Sequence, residues 1–550
     1  MREVNTGRAC GERRTRQTGG RAEEGAGLCG RQPTRSSTGD PRVWEGSGGA
    51  SRAGTASLVA AIALFLAPMV TWPQGVDVGP AHADLPSLDE LLEALDHGAI
   101  DLDDLRRLGL AVFSTPFNTY DGFGEGPFDP SETDTRAFGH RPTLQGNGLS
   151  LRVNGLDAQS CNECHTIVSN RTTPPTLGFG GVGGVVQNAI ILPKVIDVAD
   201  SFDDRVVFQP GHDPEMPLQF DGVADFDGRY ANPPFLFGGG AVELLGKEMT
   251  ADLQDLLAQA RLSPPGTVTP LLTHGVDFGA ITTVDSAGNV ELDVEGIGPE
   301  DAHGVPPEEV LVVRPFGRKG ENFSMRDFDR GAMQFHFGIQ PDEVVGAGVD
   351  EDGDGLSDEV TVAEMSVLHV FDVTNPAPRI GNLGPAALAG FDHFVAIGCA
   401  DCHIPVLETR SKEVPLAHPE VATDPSANVY LEIDLRPAGF DTAAGGGLQV
   451  PLFADLKRHA MGPRLAETFS GGEIANDEFT TARLWGVADT APYLHDGRAT
   501  TLYQAIEMHG GEAQAARDAF LASDDGDQRK LLRFLGKLRT PRRPNKELLK

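Results

Sequence analysis

Cys399-Ala400-Asp401-Cys402-His403 repeats a pattern met earlier in the chain, Cys161-Asn162-Glu163-Cys164-His165. Two thiols three positions apart lie on one helical turn, where each can bond one vinyl group of the same haem, and the histidine that follows reaches the iron. The pattern is that of c-type haem attachment. It predicts two covalently bound c-type haems on Cys161, Cys164, Cys399 and Cys402, with His165 and His403 as metal ligands. A structural zinc site would bring the pairs closer than the 235 positions between Cys164 and Cys399 and would need no histidine after each. With 15 His among 550 residues, a histidine after both pairs by chance has odds below about one in a thousand. A thioredoxin-like pair wants a βαβ setting and would explain one motif, and two simple disulfides leave both histidines without a purpose.

Outward from the motifs, the six cysteines reduce to these four plus Cys10 and Cys29, which lie in an Arg- and Gly-rich stretch with no apolar periodicity. The run Ser57–Val70 is shorter than the roughly 20 residues of a comfortable bilayer span, and Ala81-His82-Ala83 is a small-x-small cleavage pattern. Residues 1–83 therefore read as a leader with a secretory signal, and the protein as exported or periplasmic, with an uncleaved N-terminal anchor as the alternative. A start downstream of Met1, near Val43, is one explanation of the long stretch ahead of the signal. The whole chain carries a net charge of −35, and removal of the leader takes it to −38. Such a balance speaks against nucleic acid and against extended contact with an anionic membrane, and it favours a redox partner with a basic face.

Helical spacing runs through residues 84–110, 240–260, 384–398, 501–509, 511–522 and 527–538. Gly, Pro, Asn and Asp crowd 113–160 and predict long loops around the first motif, while 265–315 alternates and turns often, as a small β insertion does. Asp350, Asp352, Asp354 and Asp358 stand at positions 1, 3, 5 and 9 of a loop with Gly355 at 6, the spacing of a calcium-binding turn. Position 12 is Thr361 where an EF-hand has Glu, so the readings are a shorter calcium loop closed by Asp358 and an acidic surface turn.

The strings Ile397–Pro405, Asp455–Pro463, Leu484-Trp485-Gly486, Ala491–Ala499 and Ala505–Ala513 resemble the bacterial di-haem oxidoreductases, also called thiol oxidoreductases and related to the di-haem cytochrome c peroxidases. The resemblance is specific over 384–540 and looser over 145–345. It implies a mainly α protein of two cytochrome c-like haem domains with long loops: an N-terminal domain over 84–375, carrying the β insertion and acidic loop, and a C-terminal domain over 376–550. It further implies a high-potential haem in the C-terminal half that receives electrons and a more reactive one in the N-terminal half. His509 stands where related peroxidases carry a Met ligand, and Met461 lies in a Met-Gly-Pro loop of the kind cytochromes c use; His509 is favoured. Arg498 is the natural partner of a haem propionate. His336 falls near the peroxidases' catalytic acid, where a carboxylate is expected, and is alternatively an iron ligand.

Two functions remain in view. One is an enzyme passing electrons from a small redox protein through the C-terminal haem to an oxidant, peroxide among the candidates, at the N-terminal haem. The other is an electron-transfer cytochrome with no substrate of its own. A homodimer is in keeping with the related peroxidases.

Overall fold

The computed structural model describes residues 80–82, 85–123, 158–165, 181–182, 185–186, 190–193, 228–299, 304–467 and 474–549. Cys10, Cys29, the apolar run 57–70 and most of the loops expected over 113–160 lie outside these residues. The described chain is chiefly helical, with small antiparallel sheets between the helices. Among the described residues no helix is long and apolar enough to cross a membrane.

The expected helix over 84–110 is two helices, α1 (Leu88–Asp96) and α2 (Leu102–Ser114). Each starts on its own capping box, Ser87 with Glu90 and Asp101 with Asp104, and the second box restarts the chain in a new direction. Just ahead of α1, the Ala81 and His82 amides donate to Asp121 at 2.6 and 3.2 Å, and His82 Nδ1 lies 2.7 Å from the same oxygen. The end of the expected leader is thus hydrogen-bonded into the folded part.

The long helix α3 (Gly239–Leu262) is buried all round over its first turns, from Gly239 to Lys247. Its amphipathic character is confined to the second half. Strands β1 (Val268–Thr273), β2 (Val276–Thr283) and β3 (Val290–Val294) follow as an antiparallel meander. The apolar run after it, Val310–Val313, is buried without joining a sheet: Val313 N donates to Thr250 Oγ1 on α3 instead.

Helices α4 (Met325–Ala332) and α5 (Val362–Val373) complete this half, with a π turn at Met333–Phe337 extending α4. Helix α2 lies against α5 at Gly109, where any Cβ would collide with the Val367 carbonyl. In the C-terminal half, α6 (Pro385–Ala396) meets α9 (Asp525–Leu535) the same way, Gly390 lying on the Lys530 carbonyl. Glycine is what lets both backbone pairs approach so closely.

Between α6 and α9 come β4 (Glu413–Ala417), β5 (Val429–Asp434), β6 (Arg458–Ala460) and β7 (Glu478–Thr480), none of them expected from the sequence, then α7 (Leu502–Met508) and α8 (Gln514–Ala522) in place of the expected helices over 501–509 and 511–522. Among the described residues two hydrophobic cores result. The larger one joins α1 to α5 with β4, β5 and Leu448–Leu456, so it runs well past residue 375. The smaller one is built from Phe394, Phe453, Phe520, Leu531, Phe534 and their neighbours.

Candidate haem centres

Cys161–Cys164 form one helical turn, closed by a 2.7 Å bond from His165 N to the Cys161 carbonyl. His165 Nδ1 lies 2.8 Å from the Pro234 carbonyl. A carbonyl only accepts, so Nδ1 carries the proton and Nε2 keeps its lone pair for a metal. Burial pushes the His165 imidazolium down to about 4, against the pull of the Pro234 bond, which leaves the ring neutral.

The second motif is built alike from different elements. Helix α6 ends ahead of Gly398, a 3₁₀ turn carries Cys399–Asp401, and His403 N donates to the Cys399 carbonyl at 3.0 Å. His403 Nδ1 lies 3.0 Å from the Phe453 carbonyl, so this ring also presents Nε2, and burial pushes it down to about 4 as well. Facing it is His509 at the end of α7, whose Nδ1 is tied at 2.8 Å to the Ala505 carbonyl. The two ring centroids are 6.5 Å apart. Two imidazole–metal bonds of about 2 Å each, plus the depth of each ring, account for that gap. Met461 follows β6, with its amide bonded to the Asp477 carbonyl at 2.7 Å and its own carbonyl beside Gly510.

At the first motif the neighbouring histidine is His336, on the π turn; its charge would disfavour one on His165. A π turn inside a helix often marks a functional position. Asp329 on α4 and Asp372 on α5 lie near Cys161. Burial raises both carboxyls far above their usual range, Asp372's negative charge raises Asp329 further, and Asp329 Oδ2 and Asp372 Oδ1 are buried without hydrogen-bond partners.

At the second motif the polar neighbour is cationic. His459 has Nε2 at 2.8 Å from Asp455 and Nδ1 at 2.7 Å from Glu512. Two carboxylates accepting from one ring require both its protons. Burial opposes the charge, and the bonds to Asp455, Cys402 and Glu512 overcome it, pushing the group up to about 11.

The other expected site residues are placed as follows. Arg498 is spent on Asp496 and on the Arg464 carbonyl, 2.8 Å away. His495 stacks on Phe479 with centroids 4.3 Å apart. Asp350, Asp352 and Asp354 bring carboxylate oxygens within 4.8 Å of one another. Asp358 instead accepts from Gly348 N at 2.6 Å and bonds Asp342. Residue spacing carries no signal for Asp329, Asp372 or the charge on His459, since each depends on a partner far away in the chain.

The residues fit haem and fit the rival readings poorly. None of the four cysteines forms a disulfide, and no metal-ligand group among the described residues draws on both cysteine pairs, as a four-cysteine zinc site would. Burial raises the Cys161 thiol well above its normal value and pushes Cys399 up to about 12, opposite to the depressed thiol a redox-active pair needs. Reduced thiols followed by a neutral histidine with an available Nε2 are what covalent haem attachment and proximal ligation require.

Residues 337–538 match the family model described as "Di-haem oxidoreductase, putative peroxidase". The matched segment takes in the second motif, Met461, His495 and His509, and leaves Cys161–His165 outside it. Among solved structures, the chain is similar to hydrazine synthase of Kuenenia stuttgartiensis pressurised with xenon, at 13% identity over 79% of this chain and 92% of that one, with a TM-score of 0.27. It is also similar to a MauG-like protein associated with microbial copper homeostasis, at 14% identity over 55% of this chain and 89% of that one, with a TM-score of 0.21. No curated protein matches the chain.

Proposed function

We propose that this is an exported oxidoreductase carrying two c-type haems, which takes electrons from a small redox protein with a basic face at its C-terminal site and delivers them to an oxidant of the peroxide class at its N-terminal site. Cys161 and Cys164 would hold one haem with His165, and Cys399 and Cys402 the other with His403 and His509. When bound, haem supplies a one-electron iron couple. The carrying observation is the pair of tautomers: each motif histidine spends Nδ1 on a main-chain carbonyl and keeps Nε2 for a metal.

The roles divide by surroundings. At the C-terminal site His509 would serve as a second ligand beside His403, which suits electron transfer, and the His459 cation beside Cys402 would favour the reduced state and raise the potential. At the N-terminal site the buried Asp329–Asp372 pair, whose carboxyls burial raises far above their usual range, would supply protons, which peroxide reduction consumes. Asp350, Asp352 and Asp354 are proposed as calcium ligands without Asp358. A second reading, a pure electron-transfer cytochrome, is favoured by His336, which would make the first site a two-histidine site too.

Spectra of the oxidised holoprotein decide between them. Two haems per chain are expected, with a high-spin or exchangeable component at the N-terminal site that responds to peroxide after half-reduction. His403→Ala should abolish the normal spectrum of one haem and leave the other. Two low-spin haems indifferent to peroxide and cyanide would sink the enzyme reading, and unchanged spectra in His403→Ala would sink the ligand assignment.

A further inference from the structure

Thr481, Arg483 and Trp485 stand at every second position after β7, and each has a buried polar atom with no hydrogen-bond partner: Thr481 Oγ1, Arg483 Nη1 and Trp485 Nε1. Three unpaired donors in five residues are costly, about 1–3 kcal/mol for each neutral group and more for a guanidinium. Such a row persists where something accepts from it. An indole N–H and a guanidinium can only donate, so the missing partner is an acceptor, and the positive charge makes it an anion. Burial pushes the Arg483 guanidinium down to about 10, with no carboxylate among the described residues offsetting it. Its guanidinium lies over the Phe316 ring, 5.8 Å from the centroid.

The placement of the segment says which anion. Its backbone is bonded to the stretch that supports the second motif: Thr481 N donates to the Lys457 carbonyl at 2.9 Å and Leu484 N to the Leu452 carbonyl at 3.1 Å. The residue after Leu452, Phe453, holds His403 through its carbonyl. Leu484 packs against the smaller core, as Cys399 and Ala400 do, while Trp485 is 3% exposed in the larger core beside Gly238, and Gly486 lies on Phe235, next to the Pro234 carbonyl that holds His165. Arg498, the arginine the sequence offers for a haem carboxylate, is already engaged by Asp496.

We infer that Thr481, Arg483 and Trp485 form a three-donor cradle that holds a carboxylate of one of the two haems. They are positioning residues: they fix the haem edge and neutralise its charge, and take no part in the chemistry at the iron. This rests on the di-haem reading, and haem content separates the two.

The test uses the full-length holoprotein, with Arg483→Gln and Arg483→Lys compared by redox titration and by the resonance Raman band of the haem propionates. Removing the cation should lower the midpoint potential of one haem and shift its propionate band, at an unchanged two haems per chain, and comparison with His403→Ala tells which haem it is. Arg483→Lys keeps the charge and should restore most of the potential while the band stays shifted. Unchanged potentials and bands in Arg483→Gln at full haem content would overturn the cradle, and so would equal shifts of both haems. Should Arg483→Gln fail to accumulate, Thr481→Val and Trp485→Phe each remove one donor, and an unmoved propionate band in both would overturn it equally. A content other than two haems would overturn the di-haem reading itself.

Discussion

The first CxxCH motif backs onto an interior threaded with charge, whereas the second, of identical spacing, backs onto packed phenylalanine rings. Around the first, the fully buried Arg326 bonds Glu343 at 2.6 Å, Ser366 at 3.0 Å and His418 at 3.2 Å. Beside it, Glu243 takes Lys247 at 2.7 Å and His369 at 3.0 Å. Around the second, Phe534 touches Phe391, Phe394 and Phe453 with centroids 5.2 to 5.7 Å apart, and Phe394 also meets the His403 ring. An attachment motif thus says where a cofactor is fastened and little about the medium it works in. Protonatable groups in a dry interior couple an iron site to protons, and an aromatic interior isolates it from them.

Two core substitutions test the contrast most strongly. Arg326→Met should cost about 3–5 kcal/mol by stranding Glu343. In the native protein burial raises Glu343, but His418 and Arg326 together hold it below its usual value. Its stabilising contribution is therefore present above the unfolded pKa and lost as the pH falls. Without Arg326 the sign reverses, and the penalty should be greatest at neutral pH and ease on acidification. Phe534→Ala should cost about 3–5 kcal/mol as well, from a lost ring and its cavity, with the same penalty at every pH. Denaturant titrations of both variants at pH 5 and pH 7.5 measure this. Equal pH behaviour would erase the distinction between the two interiors.

A smaller effect is expected at His459. His459→Gln removes a cation beside Cys402 and leaves Asp455 uncompensated, so the C-terminal midpoint potential should fall while the N-terminal one holds. Equal shifts in both would show that the charge acts on the whole molecule.

The smallest effect lies beside the acidic loop. Burial and then the Asp358 carboxylate raise Asp342 to about 6. The folded state therefore keeps a proton that the unfolded chain releases above about pH 4, and stability declines as the pH rises through that window. Asp342→Asn should stabilise the fold at pH 7.5, by about 1 kcal/mol at most because the group is partly open to solvent, and leave stability unchanged at pH 4, as melting temperatures at the two pH values would show. A gain of the same size at both pH values would mean that the proton is not its source.

Much of the helical framework was legible from spacing alone. Leu88, Leu91, Leu92 and Leu95 mark α1, and the run into Cys399 marks α6, because a 3.6-residue period is a local property. The break between α1 and α2 was legible only in the capping pair Asp101 and Asp104. Strands β4 and β5 escaped notice, as they owe their existence to a partner strand and to the larger core they cover.

By itself the sequence determined the number and place of the CxxCH motifs, the histidine that closes each and the acidic balance, since each is written in adjacent residues or in composition. Only the tertiary structure decided that His509 faces His403, that Asp358 turns away from the acidic loop, that Arg498 is already taken, and that Arg483 is buried with no carboxylate partner among the described residues. The physical reason is common to all four. Ligation, pairing and desolvation depend on what stands within a few ångströms, and residues that distant in the chain become neighbours only once the cores have packed.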